Sequence, residues 1–468
     1  MKNAPRFMIS AAHKSSGKTV VSIGLSAAFR SAGDDLASFK KGPDYIDPMW
    51  LAAASERPCY NLDFNAMTHE EIVRFFAEKS RGLSLVEANK GLYDGVEPDG
   101  SDANAALAKL LKLPVVLVID TLGMSRGIAP LLMGYQAFDR DVNIAGVILN
   151  KVGGARHESK LRRAVETYSG LPVLGAVWRK AELEIGERHL GLTTPAETGE
   201  RDAIVARIGE TVGKAVDLGR LRDIAASAPA IEAGRGMRPP AGSGEGLTIG
   251  YARDAAFGFY YPDDLEAMEQ AGARLVPVDM IHDAQLPDLD GFFIGGGFPE
   301  MRAAELSANT TMRESVKRAL EGGMPAYAEC GGLMYLSQGI DWGEERHDMV
   351  GLIPGRATMH RVPQGRGYVR YDCTDANPWG TAGRSIRAHE FHYASLDGLP
   401  EGLTWAREIT RGHGTDGKRD AIVIGNTVAG FIHLRNTAQV PWVAGFLEFV
   451  KRCKTGANSD VRKMHEKS

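Results

Sequence analysis

RFMISAAHKSSGKTVVSIGLSAAFRS, residues 6–31, decides the fold of the first half of the chain. Arg6–Ala11 reads as a short apolar strand, and Val20–Ser31 carries its apolar residues on one helical face. Between them lies His13-Lys14-Ser15-Ser16-Gly17-Lys18-Thr19. A strand, a small-residue loop ending Gly-Lys-Thr and a helix form the context of a phosphate-binding loop. Such a loop aims backbone N–H groups and a helix N-terminus at phosphate oxygens. Ser15, Ser16 and Gly17 would line that cradle. Lys18 would reach the terminal phosphates, and Thr19 would put its hydroxyl on Mg²⁺. Ala12 stands where the usual pattern begins with glycine, so a chance Gly-Lys-Thr at a helix start is the competing reading.

Outward from that loop, strands and helices alternate. Leu36–Phe39 is a second strand, ending in Lys40-Lys41-Gly42-Pro43-Asp44-Tyr45-Ile46-Asp47-Pro48. Asp44 and Asp47 read either as turn residues or as carboxylates near metal and phosphate, with Lys40 opposite the nucleotide. Leu83–Glu87 is a buried strand with Glu87 at its carboxyl end, where ligands bind in open α/β sheets. Val115–Asp120, Ile144–Asn150 and Val173–Val177 are continuous apolar runs of the kind buried on both faces of a parallel sheet. Residues 6–180 therefore predict a doubly wound α/β domain. Arg188–Leu192 and Glu197 read as an irregular polar patch. The Ala-, Gly-, Pro- and Ser-rich stretch 225–246 reads as a linker. The expected division is 1–224, linker 225–246, 247–455 and a frayed tail 456–468.

The second half repeats an α/β pattern from residue 247. Phe292–Gly297 is a strand running into three glycines, and Ala303–Glu321 is a polar helix. PAYAECGGLMYL, 325–336, reads as a strand, a sharp turn at Cys330 and a helix start. A nucleophile is held exposed at such a turn, and a helix N-terminus favours its thiolate. The other reading is a small buried thiol. Beside a nucleophile the three glycines could supply an oxyanion hole; the other reading is a tight turn. His433, after the strand 428–432, is a candidate base, although twelve histidines leave that choice open by spacing alone. Arg387–Tyr393 clusters two histidines with a carboxylate, and its spacing does not make a metal site.

Composition bounds the rest. The chain has 468 residues, 44% of them apolar and 24% charged, with a net charge of −4. That length predicts at least two domains, and the charge argues against a nucleic-acid or polybasic membrane surface. No apolar run reaches membrane-spanning length. Four scattered cysteines fit a reducing, cytoplasmic setting without disulfides.

The motifs GPDYIDP (42–48), NLD (61–63), GLYDG (91–95), GVILN (146–150), RHLGL (188–192), GGGFPE (295–300), AECGGLMYL (328–336) and HEFHY (389–393) together resemble the cobyrinate a,c-diamide synthases. The resemblance runs from about residue 5 to about 450, in order. It implies an N-terminal P-loop NTPase-like amidoligase domain of the dethiobiotin synthetase type. It also implies a C-terminal class I glutamine amidotransferase domain. ATP, Mg²⁺, L-glutamine and a tetrapyrrole become the expected ligands; the oligomeric state stays open, a homodimer being one option. On that carry-over Cys330 attacks glutamine, His433 is base and then acid, and Gly296, Gly297 and Gly331 hold the oxyanion. Lys18, Thr19 and Lys40 serve ATP. Thr19, Asp44 and Glu87 serve the metal. Asp44, Tyr45 and Asp47 serve carboxylate activation.

The chain departs from the family at Met49-Trp50, at Phe64-Asn65 and at His433-Leu434-Arg435. Siroheme or nickel-sirohydrochlorin amidation is therefore a second reading on the same scaffold. A nucleotide-switch ATPase with a vestigial second domain, suggested by Lys14, and an ATP-independent glutaminase are the readings from other classes.

Overall fold

The computed structural model describes residues 4–188, 191–196, 198–232, 234, 242–380 and 383–465. Contacts divide the chain into two compact units, Met1–Gly236 and Met237–Ser468.

The first unit is built on seven strands: β1 (Arg6–Ala11), β2 (Leu36–Lys41), β3 (Cys59–Leu62), β4 (Leu83–Glu87), β5 (Val115–Asp120), β6 (Ile144–Val152) and β7 (Val173–Trp178). Their order is β3-β2-β4-β1-β5-β6-β7, and every pairing is parallel. All positions of β1, β2 and β4 are buried, because helices cover both faces of the sheet. One apolar layer includes Phe39, Ile72, Phe76, Leu107 and Leu161. The opposite layer includes Phe7, Val21, Phe29, Trp50 and Val212.

Strand order positions the site. β4 lies between β2 and β1, so three strand ends that are distant in sequence meet at one edge. Glu87 is in register with Lys40 of β2 and with Ile9 of β1. The loop after β1 leads into α1 (Lys18–Ser31), and the turn after β2 leads into α2 (Ile46–Ser55). This is the crevice beyond the carboxyl ends of an open sheet.

Two stretches differ from their expected form. The composition-based linker 225–246 begins inside the helix Leu218–Ala226, and Ala228 and Ile231 beyond it are buried. The buried Arg6 guanidinium donates to the Pro229 carbonyl and holds this segment on the first unit. Residues 233 and 235–241 of the stretch lie outside the described residues. The polar patch contains a small antiparallel ribbon, Glu187–Arg188 with Gly191–Leu192. Its His189 and Leu190, and Glu197 beyond it, lie outside the described residues.

The second unit carries a nine-stranded mixed sheet. Five strands are parallel: 274–278, 248–252, 291–294, 326–329 and 427–430. Four antiparallel strands extend them: 419–424, 404–411, 365–373 and 385–392. The HEFHY residues lie at the outer edge of this extension. A separate four-stranded sheet is formed by residues 339–342, 345–348, 356–359 and 394–397. The expected helix 303–321 is two helices, Ala303–Ala308 and Thr310–Glu321. Asn309 breaks it by accepting from the Met312 amide while its own amide donates to the carbonyls of Met280, Ile281 and Asp283. The last helix, Trp442–His465, includes much of the polar end expected to fray. No helix among the described residues is long and apolar enough to cross a membrane. All four cysteines are free thiols.

Candidate functional site

In the first unit the phosphate loop turns on Ser15 (φ 64°) and Gly17 (φ 84°). Gly17 is required on two counts. It has a left-handed backbone, and a β-carbon there would lie 2.2 Å from Asn150 Nδ2. That amide donates to the Ser16 carbonyl at 2.9 Å, and Lys151 Nζ donates to the Ser15 carbonyl at 3.1 Å. The Ser16 hydroxyl closes the loop on the His13 carbonyl at 2.8 Å. The GVILN segment therefore braces the loop from the end of β6, a role that spacing alone did not reveal.

Thr19, Lys40, Asp47 and Glu87 form one buried constellation. Thr19 Oγ1 donates to Glu87 Oε1 at 2.8 Å and lies 3.2 Å from Asp47 Oδ2. Lys40 Nζ bridges Glu87 Oε1 at 2.9 Å and Asp47 Oδ2. Lys40 resists burial because these two carboxylates hold its charge and push its pKa up. Burial, and then the neighbouring Lys40 cation, lower Lys18 to about 8. Burial, with the charge of Asp47, pushes Asp44 up to about 7.

The expected metal set is Thr19, Asp44 and Glu87. The structure pairs Thr19 and Glu87 with Asp47, not with Asp44. Asp44 Oδ1 accepts from the amides of Ile46 and Asp47 at 3.0 and 3.1 Å and so closes the first turn of α2. Tyr45 stands at the N-cap of that helix, in an interior position. Glu87 Oε2 is fully buried with no hydrogen-bond partner. An orphaned carboxylate oxygen beside a threonine hydroxyl suits a hard divalent cation. Among the described residues no three His, Cys, Asp or Glu side chains form a metal cage. A magnesium ion carried largely by phosphate and water does not require one.

In the second unit Cys330 follows the strand Ala326–Glu329 and precedes the helix Gly331–Leu336. Its backbone sits at φ 50° and ψ −102°, a conformation rare for a residue with a β-carbon. Such strain persists only where the surroundings enforce it. Here the Cys330 amide donates to the Gly430 carbonyl at 2.8 Å, and the Met334 amide donates to the Cys330 carbonyl at 3.1 Å.

His433 is buried, and its ring lies against Cys330 and Glu329. Its Nδ1 lies 3.3 Å from Glu329 Oε2. Burial opposes the charged ring, but its interactions with Cys330 and Glu329 outweigh that and raise His433 to about 10. A flat parallel stack with His389, centroids 5.0 Å apart at 14°, covers the other face of the ring. His389 is held well below its ordinary pKa by burial and by the charges of His433 and Arg435.

The glycines crowd this pair. A β-carbon on Gly296 would lie 2.6 Å from His433 Cε1. One on Gly297 would lie 2.0 Å from the Ala256 carbonyl, and one on Gly331 would lie 3.2 Å from the Gly297 amide nitrogen. Gly297 and Gly331 therefore bring backbone close together beside the thiol, the geometry an oxyanion hole needs. Gly296 makes room for the imidazole.

Sequence reasoning missed Glu329. It directly precedes Cys330 and lies 3.3 Å from His433 Nδ1, so one strand end supplies two of the three interacting side chains. The signal was available: a carboxylate ending an otherwise apolar buried strand, at 2% exposure, demands a partner.

The arrangement can do two kinds of chemistry. The second unit can form and hydrolyse a thioester. The first can bind a nucleoside triphosphate and direct its terminal phosphoryl group.

Comparison with known proteins agrees with that pairing. Residues 7–192 match the CobQ/CobB/MinD/ParA nucleotide binding domain, and residues 248–439 match the CobB/CobQ-like glutamine amidotransferase domain. A Magnetococcus marinus protein named cobyrinate a,c-diamide synthase is 42% identical over 95% of this chain and 97% of its own length. Proteins of the same name from Methanosarcina acetivorans and Methanothermobacter thermautotrophicus are each 40% identical. They cover 93% and 92% of this chain, and 93% and 96% of their own lengths.

Proposed function

The chain belongs to the cobyrinate a,c-diamide synthase family, and we propose from that premise that it amidates peripheral acetate carboxylates of a cobyrinate-type tetrapyrrole, using ATP and glutamine. One observation carries the reading: a Cys330–His433–Glu329 cluster and a braced phosphate loop with its own acidic cluster occur in one chain.

A carboxylate is a poor acyl donor because its oxygen leaves badly. ATP overcomes this. A substrate carboxylate oxygen attacks the γ-phosphorus, ADP leaves, and an acyl phosphate forms. The loop amides and Lys18 bind the phosphates and offset charge on the transferring group. The Thr19 hydroxyl, Asp47 and Glu87 would hold Mg²⁺, which supplies further charge neutralisation when bound. Lys40 holds the two carboxylates in place through its ion pairs with both. Ammonia then attacks the acyl carbon, phosphate leaves, and the amide forms with loss of a proton.

The second unit supplies the ammonia. The Cys330 thiolate attacks the glutamine side-chain carbonyl, and Gly297 and Gly331 amides serve the developing oxyanion. Protonated His433 gives its proton to the departing nitrogen, and ammonia leaves. His433 then takes a proton from water, which hydrolyses the thioester to glutamate. Glutamine is the useful donor because ammonia is mostly protonated near neutral pH.

The test is direct. Purified protein is incubated with ATP, Mg²⁺ and glutamine, and with cobyrinate or siroheme in separate reactions, and products are read by mass spectrometry. Conversion of cobyrinate acetate carboxyls to amides is expected. Amidation of siroheme alone would transfer the reading to the second substrate. No mass change with either macrocycle would overturn it.

A further inference from the structure

The side chains behind Glu329 form a buried chain that the reaction above leaves unused. Tyr327, two residues before Glu329 on the same strand, places its hydroxyl 2.7 Å from Glu329 Oε1. Arg407 Nη2 donates to that hydroxyl at 2.9 Å, and Arg407 Nη1 donates to Asp420 Oδ2 at 3.1 Å. Tyr327, Arg407 and Asp420 are all at most 1% exposed.

The directions of these bonds follow from chemistry. Arginine only donates, so the Tyr327 oxygen accepts from Arg407 and its single proton points to Glu329. Burial raises the Tyr327 phenol, so it keeps that proton. The Leu434 amide donates to the same Oε1 at 2.8 Å. With Oε1 doubly satisfied, Oε2 is the oxygen left to face His433 Nδ1.

The same network grips the backbone that carries His433. The Phe431 amide donates to Asp420 Oδ1 at 2.8 Å, and Arg407 Nη1 lies 3.5 Å from the Ile432 carbonyl. His433 itself exchanges backbone hydrogen bonds with His389. The charged and titratable groups around His433 are thus Cys330 and Glu329 from the strand end, His389 from the antiparallel edge and Arg407 beneath. Arg435 lies on its own loop, paired with Asp263 and stacked on Tyr261.

We propose that Tyr327 and Arg407 are positioning residues for glutamine hydrolysis, fixing the orientation of Glu329 and, through it, the ring of His433. The proposal rests on the reading of Cys330 and His433 as the glutamine-hydrolysing pair. It adds a hydroxyl and a guanidinium that never touch substrate. Without the Tyr327 proton, the buried Glu329 anion is less well held, and its grip on protonated His433 weakens.

The experiment compares the full-length protein with Tyr327→Phe, Glu329→Gln and the double variant. Tyr327→Phe should lower glutamine-driven kcat on the order of tenfold, the scale of one hydrogen bond to a charged group. KM for glutamine should stay within about twofold, because no substrate contact is lost. Amidation with added ammonia should match wild type, which also shows that the variant folds. The acid limb of Cys330 alkylation by iodoacetamide should move to higher pH. In the double variant the two losses should not add, because Tyr327 acts through Glu329. Wild-type kcat with an unchanged alkylation profile would overturn the proposal, as would additive losses. Should Tyr327→Phe fail to fold, Arg407→Lys gives the same comparison, and an unchanged alkylation profile there counts equally against it. The alkylation readout needs no glutamine. A wild-type protein that alkylates as expected but hydrolyses no glutamine would therefore defeat the functional reading and leave the network intact.

Discussion

The two clusters solve opposite electrostatic problems. In the second unit His433 sits between a thiol and a carboxylate, and those partners hold its charge on their own. In the first unit three acids and two lysines are crowded together. Burial pushes Asp44 up and Lys18 down, and one Glu87 oxygen has no partner. A site that balances its own charge suits a neutral substrate such as the glutamine side-chain amide. A site with strained ionisations suits ligands that bring compensating charge, as a polyphosphate and a divalent cation do. The contrast explains how one chain can keep a reactive thiol poised while its ligase centre depends on its ligands.

Breaking each site separately sharpens that contrast. Cys330→Ser should lower glutamine-driven amidation by about 10⁴-fold or more and leave ammonia-driven amidation near wild type. A loss of both activities would contradict the division of labour. Glu87→Gln should reduce amidation with either nitrogen source by roughly 10²–10³-fold while glutamine hydrolysis persists. Parallel assays of glutamate and ADP release check this.

Gly296→Ala should displace the His433 ring, because its β-carbon needs space held by Cε1. Glutamine-driven kcat should fall by about 10²-fold, with the ammonia-driven rate again as control.

A pH effect on stability follows from His433. Its folded pKa is raised to about 10, above its ordinary value of about 6.5 in unfolded chains. Its stabilising contribution is therefore full below about pH 6.5 and is lost as pH rises toward 10. Lys18 acts with the opposite sign at the upper end of this window, so the clean readout is a difference. The Tm gap between wild type and His433→Gln should narrow from pH 6.5 to 10. The smallest effect expected is structural. Thr68 caps the helix His69–Lys79 by accepting from the Glu71 amide, and Thr68→Ala should cost about 1 kcal/mol of stability without changing either activity.

What the sequence discloses depends on how local each feature is. The phosphate loop and the Cys330 turn are contiguous motifs, and their strand–turn–helix context is written within about twenty residues. Choosing Asp47 over Asp44 required knowing which carboxylate closes the first turn of α2, and Pro48 and the nearby aspartates do not fix that alone. Glu329 was hidden because its partner is more than a hundred residues away and is delivered by strand pairing. The antiparallel half of the second sheet was also obscure. A strand such as TWAREITR, 404–411, mixes buried and exposed charges, because Arg407 is buried against Tyr327 and Asp420 rather than in solvent. A period-2 hydrophobic pattern fails wherever the buried position is a charge.

The adjacency of Glu329 and Cys330 has a consequence for how the protein comes into being. A ribosome makes the nucleophile and its orienting acid together, but Leu434, which also bonds Glu329, follows 105 residues later. The strand Thr427–Gly430 must insert beside Ala326–Glu329 before His433 can arrive. A nascent or half-folded chain therefore lacks the base that activates its cysteine. The pairing of Cys330 with His433 is therefore completed only when the last strand of the parallel set is in place.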